Sequence, residues 1–243
     1  MPNPPAYGDD LAYVHDVGFT EFAKESAPGL LKILRSAGVG EGLIVDLGCG
    51  SGVWAQTLVG AGYDVIGVDL SPSFIEMSRK RVPKAEFHAK SFLSFKLPKC
   101  QAITALGEVL NYRFDRRNGA NALRRLCKRV HAALQPGGLF IFDVAELQRS
   151  RNRSRSYWEG DDWANLVEFN NDLTKRQLTR HIVTFRKVGG HYRRREETHI
   201  LQLYRGTELA EMLREIGFRV RLIRSYGDHR LPPSIVGLIA RKP

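Results

Sequence analysis

LIVDLGCGSGVWAQTLVGAGYDVIGVDL, residues 43–70, reads as strand, glycine loop, helix and strand. The apolar run Leu43-Ile44-Val45 ends in Asp46, and Gly48, Gly50 and Gly52 follow. Val53 to Val59 has helical character, and a second apolar run, Val65 to Val68, ends in Asp69. This is the first half of a nucleotide-binding βαβ unit. Residues without a Cβ let the backbone turn sharply and let a ligand lie against it, while the helix that follows offers unpaired N–H groups. An acid closing the second strand, 21 residues after Gly48, suits the two hydroxyls of a ribose.

The spacing bears on the ligand. Dinucleotide sites favour G-x-G-x-x-G, in which the helix N-terminus holds a pyrophosphate. Here the spacing is G-x-G-x-G, with Asp46 two residues ahead. A carboxylate there repels a diphosphate and tolerates a ligand that carries an ammonium and a sulfonium. In the words D-L-G-C-G-S-G and V-I-G-V-D-L-S the stretch resembles motifs I and II of the class I S-adenosylmethionine (SAM)-dependent methyltransferases. Two later phrases belong to the same resemblance: Leu134-Gln135-Pro136-Gly137-Gly138 before a fifth strand, and Glu215-Ile216-Gly217-Phe218 before a sixth.

The resemblance implies an α/β fold: a doubly wound, seven-stranded, mostly parallel sheet with an antiparallel β insertion after strand five. It also implies SAM as cofactor and S-adenosylhomocysteine as product, bound by Asp46, Gly48, Cys49 and Gly50 at the amino acid end. Asp69 and Leu70 would meet the ribose. The family's usual aspartate at the adenine is replaced by Ser91, whose oxygen accepts a hydrogen bond more weakly, and Phe92 supplies the apolar wall. Leu106, Gly107 and Glu108 fall in the loop after strand four that crosses the methionine part, and Asn111 and Tyr112 at the boundary with the acceptor. N-terminal helices often cap this pocket, so Tyr13, His15 and Phe19 are candidates for lining it.

Along the chain, residues 1–42 read as an N-terminal helical cap: a Pro-rich, poorly ordered lead-in over 1–10, then two or three short helices from Leu11 to Arg35, interrupted at Gly18 and at Pro28-Gly29. Residues 43–145 form the cofactor-binding core, 146–205 an inserted antiparallel sheet over the acceptor, and 206–243 a last helix and two strands. Ser71-Pro72 opens a helix, Asn118–Leu134 is an amphipathic helix with Arg124, Arg125, Lys128 and Arg129 on its solvated face, and Thr207 is the expected cap of the last helix. Residues 146–157, ELQRSRNRSRSY, read as a loop whose arginines, 149 to 155, either clamp an anion or are solvated. Asn165–Asp172, Gln177–Arg186 and His191–Leu203 alternate as strands, with Lys187–His191 as a hairpin turn. Trp158, Trp163, His181 and Tyr204 are candidates for the acceptor pocket.

Composition limits the function classes. The 243 residues suit one domain with an insertion, and no apolar run approaches the ~18 residues of a membrane helix. The N-terminus has no basic-then-apolar leader, so the expected compartment is the cytoplasm, with no membrane partner. Cys49, Cys100 and Cys127 show no metal-ligand spacing, and no metal is expected. Residues 1–115 carry 11 Lys/Arg against 13 Asp/Glu, while 116–243 carry 26 against 13. That excess suits nucleic acid, an anionic substrate or simply Arg-rich composition and solvated faces.

The expected activity is therefore methyl transfer to N or O of a small molecule. Two alternatives stand: an RNA methyltransferase using the basic half, and a non-catalytic SAM-binding regulator. Against RNA, Leu110-Asn111-Tyr112-Arg113 lacks the prolines of an Asn-Pro-Pro-aromatic phrase, and there is no Pro-Cys pair. Glu108, His15 and His181 are candidates for a base, but no triad or paired-acid pattern selects one.

Overall fold

A computed structural model describes residues 6–115, 117–147 and 153–243. Helices α1 (Asp9–Gly18) and α2 (Glu21–Ser36) come first. Two helices stand where two or three were expected, because Pro28 and Gly29 lie inside α2 and do not break it. Gly29 is needed there for close approach: a Cβ on it would fall 2.2 Å from the backbone carbonyl of Tyr226. The contact is 197 residues away in the chain, so no local rule reveals it.

The core alternates strand and helix: β1 (Leu43–Leu47), α3 (Val53–Gly60), β2 (Asp64–Asp69), α4 (Pro72–Arg81), β3 (Glu86–Ala89), β4 (Cys100–Ala105), α5 (Ala120–Ala133) and β5 (Leu134–Ala145). Ser71 caps α4 by accepting from the Phe74 N–H, with Pro72 in the first turn. After β5 come β6 (Arg153–Gly160), β7 (Trp163–Asp172), β8 (Gln177–Val188) and β9 (His191–Gln202), then α6 (Gly206–Ile216), β10 (Arg219–Ile223), β11 (Ser225–Tyr226), β12 (His229–Arg230) and β13 (Ile235–Arg241).

Seven strands make the main sheet in the order β10-β13-β5-β4-β1-β2-β3. The pairings among β1 to β5 are parallel, and β13 runs antiparallel to both β5 and β10. Both faces are covered, which is why the strands read as unbroken apolar runs. Val45, Ile103, Phe140 and Phe142 pack against Leu123 and Leu126 of α5 and Leu213 of α6. Ile44, Ala102 and Ile141 pack against Leu30 and Leu34 of α2 and Trp54 and Leu58 of α3.

The second sheet, β6-β7-β8-β9, is antiparallel throughout. Gly189 (φ +57°) and Gly190 (φ +87°) make the tight turn between β8 and β9, where two consecutive positive φ angles match the strand twist. The second half of the expected arginine loop is instead strand β6. Its side chains are mostly exposed, so no polar–apolar alternation marks it, and pairing with β7 creates it. Arg153 and Arg155 both pair with Glu168 on β7, at 2.8 Å each, and are occupied there. Arg149 and Arg151 lie outside the described residues.

Two smaller expectations also change. Helix α6 starts at Gly206, whose N–H donates to Glu146 Oε1 at 3.0 Å, so the cap comes from that distant acid and not from Thr207. Arg129 leaves the solvated face of α5 and donates to the carbonyl oxygens of Leu93 (2.5 Å) and Phe92 (2.9 Å), clamping the turn after β3. Among the described residues no helix is long and apolar enough to cross a membrane. Cys49, Cys100 and Cys127 are buried free thiols.

Candidate active site

The carboxyl ends of the parallel strands meet at a cavity of about 500 Å³, within the range of small-molecule and cofactor sites. Its floor is the glycine loop. Gly48 has φ +71°, and a Cβ there would sit 2.5 Å from the Val109 methyls, so both the turn and the packing demand glycine. Gly50 also has positive φ, +53°, but its Cβ direction meets nothing within 4 Å. Open space on that side is what a ligand lying against bare backbone requires.

Two acids flank the loop. Asp69, ending β2, accepts from the N–H groups of Gly50 (3.0 Å) and Ser71 (2.8 Å), and burial raises its pKa. Asp46 is buried and accepts from Thr104 Oγ1 at 2.7 Å. Burial, with the Asp69 charge adding to it, pushes Asp46 up to about 7 despite that hydroxyl. Near neutral pH such an acid is only partly ionised, and an approaching cation shifts it toward the carboxylate.

Farther along, Ser91 donates to Asp115 Oδ2 at 2.7 Å. Arg117 grips that same carboxylate through Nε (2.9 Å) and Nη2 (2.6 Å) and holds its pKa down to about 2. An acid absent from the strand-three position is thus supplied from a loop 24 residues later. Both residues and Phe92 line the cavity.

The loop after β4 is held from behind. Asp143, at the end of β5, accepts from the N–H groups of Glu108 (2.6 Å) and Gly107 (3.0 Å) and from the Tyr226 hydroxyl (3.1 Å). Burial pushes Asp143 up to about 7 as well. These bonds hold Glu108 at φ +63°, a left-handed conformation that costs a non-glycine residue roughly 1–3 kcal/mol and persists only where its surroundings enforce it. Glu108 Oε2 is 2.6 Å from Nη2 of Arg180 on β8; the Glu108 side chain is buried and that of Arg180 is 14% exposed. Arg180 Nη1 donates to Tyr112 Oη at 2.7 Å, and the Tyr112 and Tyr7 hydroxyls are 3.1 Å apart. The inserted sheet is thereby tied to the loop on the main sheet.

Asp46, Gly48, Cys49, Gly50, Asp69, Leu70, Ser91, Phe92, Leu106, Gly107 and Glu108 come together on one cavity, and His15, Phe19, Tyr112 and Trp158 line its other side. Burial lowers the His15 pKa to about 4, so its imidazole is neutral near pH 7. Five anticipated residues lie elsewhere. Tyr13 is two positions from both Leu11 and His15, so it leaves the helix on the opposite side; it donates to Asp162 (2.8 Å) under the Arg186 guanidinium. Asn111 is spent on structure, donating to the carbonyls of Ala145 (3.1 Å) and Gln202 (2.6 Å) and accepting from the Ala145 N–H (3.0 Å). Trp163 packs on the backbone of Gly18 and the ring of Phe19. His181 points out of the sheet, toward Thr198 and Glu196, because only alternate residues of β8 face inward. Tyr204 packs into the core beside α5 and α6.

Asp143, Arg180, Tyr7, Asn165 and Asp115 were not anticipated. For Asp143 a signal existed: an acid near the end of the apolar run Leu139–Ala145, as with Asp46 and Asp69. For the others no local pattern marks the residue.

A mostly parallel seven-stranded sheet with helices on both faces, a glycine loop with an acid on each side and an antiparallel insertion define the class I SAM-dependent methyltransferases, and SAM is the cofactor. The chain belongs to the methyltransferase domain family, whose model matches residues 21–223. It is 30% identical over 107 residues to magnesium-protoporphyrin O-methyltransferase of Rhodobacter capsulatus, a match over 42% of this chain and 44% of that one, so less than half that relative's length is spanned. Its fold is similar to that of a SAM-dependent methyltransferase from Clostridium acetobutylicum ATCC 824, with TM-score 0.81, 17% identity and coverage of 95% and 97% of the two chains. SAM-bound CalS10, an amino pentose methyltransferase from Micromonospora echinaspora, aligns with TM-score 0.77, 17% identity and 98% coverage of both chains.

Proposed function

We propose that this chain moves the SAM methyl group to a nitrogen or oxygen of a small-molecule acceptor. The observation that carries the reading is the roof. Residues of α1 and of the inserted sheet close over the glycine loop, and Trp158, Phe169, Arg180 and Ile182 line the same cavity as Asp69. A roofed cavity admits a small molecule more readily than a folded nucleic acid. The R. capsulatus relative is named for O-methyl transfer to a magnesium protoporphyrin and CalS10 for an amino pentose, which also supports a small acceptor.

In this reading Asp46 meets the cofactor's ammonium, the backbone of Gly48, Cys49 and Gly50 lies along its amino acid end, and Asp69 with Leu70 takes the ribose. Ser91, Phe92 and Asp115 serve the adenine, and Leu106, Gly107 and Glu108 the methionine part. The bound cofactor supplies a methyl carbon activated by sulfonium. The protein holds the acceptor's lone pair in line with that carbon, so positioning contributes much of the rate. Of the candidates for a base, His181 lies outside the cavity and Glu108 is paired with Arg180. His15 remains, and as a neutral imidazole it orients an acceptor N–H or O–H rather than storing the proton.

Titration calorimetry with SAM tests the cofactor assignment: wild type binds, and Asp69→Ala weakens binding at least about tenfold. Unchanged affinity of Asp69→Ala refutes the ribose assignment. Methyl-labelled SAM, incubated with cell extract split into metabolite, RNA and protein fractions, tests the acceptor class. Label in metabolites supports the proposal; label confined to RNA or protein, or no label, overturns it.

A further inference from the structure

One face of the inserted sheet forms the ceiling of the cavity. Asn165, Val167 and Phe169 alternate along β7, and Arg180 and Ile182 along β8. The register sets Phe169 opposite Arg180, Val167 opposite Ile182, and Asn165 opposite Thr184. The ceiling is thus an apolar strip with a polar group at each end, four strand residues or roughly 13 Å apart. The facing wall is made of rings: His15 and Phe19 are 6.1 Å apart, and Phe19 and Trp158 are 5.6 Å apart.

Both polar ends are incomplete. Among the described residues, Asn165 Oδ1 and Arg180 Nε are buried without a hydrogen-bond partner. Asn165 is only 3% exposed, so water has little access to it. Buried polar groups are rarely left unmet, and the cost of leaving them so makes a ligand the natural complement. One end lacks a donor and the other an acceptor. The charge at the Arg180 end is already balanced by Glu108 at 2.6 Å, so a second carboxylate there would meet the first.

Resting on the methyl-transfer reading above, we propose that the acceptor is an elongated, multi-ring, largely apolar compound. It carries a hydroxyl or N–H that donates to Asn165 Oδ1 and a neutral oxygen, such as a carbonyl or ether, that accepts from Arg180 Nε. The Arg180 end adjoins loop 106–108, and Asn165 is the distal anchor. A bare amino sugar, polar on every edge, does not match this ceiling.

The test is calorimetry on protein first saturated with S-adenosylhomocysteine. The probes are 4-acetyl-4′-hydroxybiphenyl, its analogues lacking the hydroxyl or the acetyl group, the corresponding 4-carboxylate, and glucosamine. The complete probe binds best. Deleting its hydroxyl weakens binding about tenfold in wild type and not at all in Asn165→Leu. Deleting its acetyl group does the same in wild type and nothing in Arg180→Lys, which keeps the charge beside Glu108 but removes Nε. The proposal is overturned if glucosamine or the carboxylate binds more tightly, if the biphenyls do not bind, or if the deletions cost the same in wild type and variants. Failure to bind S-adenosylhomocysteine would instead overturn the cofactor assignment, so the two outcomes are separable.

Discussion

Gly29→Ala sets local propensity against tertiary packing, with opposite signs. Gly29 lies inside α2, where Ala is favoured over Gly by about 1 kcal/mol. The new Cβ, however, would fall 2.2 Å from the carbonyl carbon and oxygen of Tyr226 and 2.4 Å from the nitrogen of Gly227. These are backbone atoms, so no rotamer change relieves the contact. Overpacking costs about 1–3 kcal/mol, and contact with a rigid peptide group that no side-chain movement can relieve puts this case at the upper end. The net expectation is a loss of about 2 kcal/mol, or about 4–8 °C in Tm for a chain of this size. Urea unfolding should show a lower midpoint with unchanged m. The control is Gly60→Ala in α3, where the Cβ meets nothing within 4 Å and stability should rise by up to about 1 kcal/mol. The site should feel the change too. Tyr226 donates to Asp143, which holds the N–H groups of Gly107 and Glu108, so SAM affinity should fall in Gly29→Ala and not in Gly60→Ala. Equal or greater stability of Gly29→Ala would refute the packing argument.

Asp143 titrates near 7 in the folded chain and near 3.8 when unfolded, so the native state keeps a proton that the unfolded state loses. Its contribution is most favourable below pH 4 and is lost as pH rises to 7; the stability difference between wild type and Asp143→Asn should therefore shrink by about 1.4 kcal/mol per unit between pH 5 and 6 in urea melts, and a flat difference would contradict the assignment. SAM binding near pH 6.5 should release a proton as the cofactor's cation ionises Asp46, whose pKa is about 7; calorimetry in buffers of different ionisation enthalpy reads this, and no buffer dependence would count against that contact. Replacing Arg153 and Arg155 together by Gln should leave methyl transfer unchanged, since both guanidiniums pair with Glu168; a loss of acceptor affinity would return them to the site. Binding to an RNA duplex should be weak with a shallow salt slope, because arginines of the basic half pair within the chain: Arg124 with Glu215, Arg176 with Glu208 and Arg224 with Glu146. A steep slope would revive the RNA alternative.

Much of the core was legible because its signals are short-range. Leu43–Leu70 contains a strand pair, the loop and both flanking acids, so Asp46, Gly50 and Asp69 converge through connections of fewer than 30 residues. The unbroken apolar runs of β1, β4 and β5 report a sheet covered on both faces, and the period of α5 reports its buried side. Strand β6 was illegible because an exposed strand has no alternation to display, and its pairing with β7 supplies the order.

The amino-acid sequence by itself determined the α/β core, the glycine loop and the cofactor's chemistry, since each depends on residues within one helical turn, one strand or one short loop of each other. Tertiary structure alone decided the roof of the cavity. Arg180 reaches Glu108 across 72 residues of chain, Tyr7 reaches Tyr112 across 105, and Asn165 faces the cavity only through the register of β7 on β8. Hydropathy periods report which side of an element is buried; which distant side chain that side meets is set by how sheets and helices pack, and the roof of this cavity is built from such meetings.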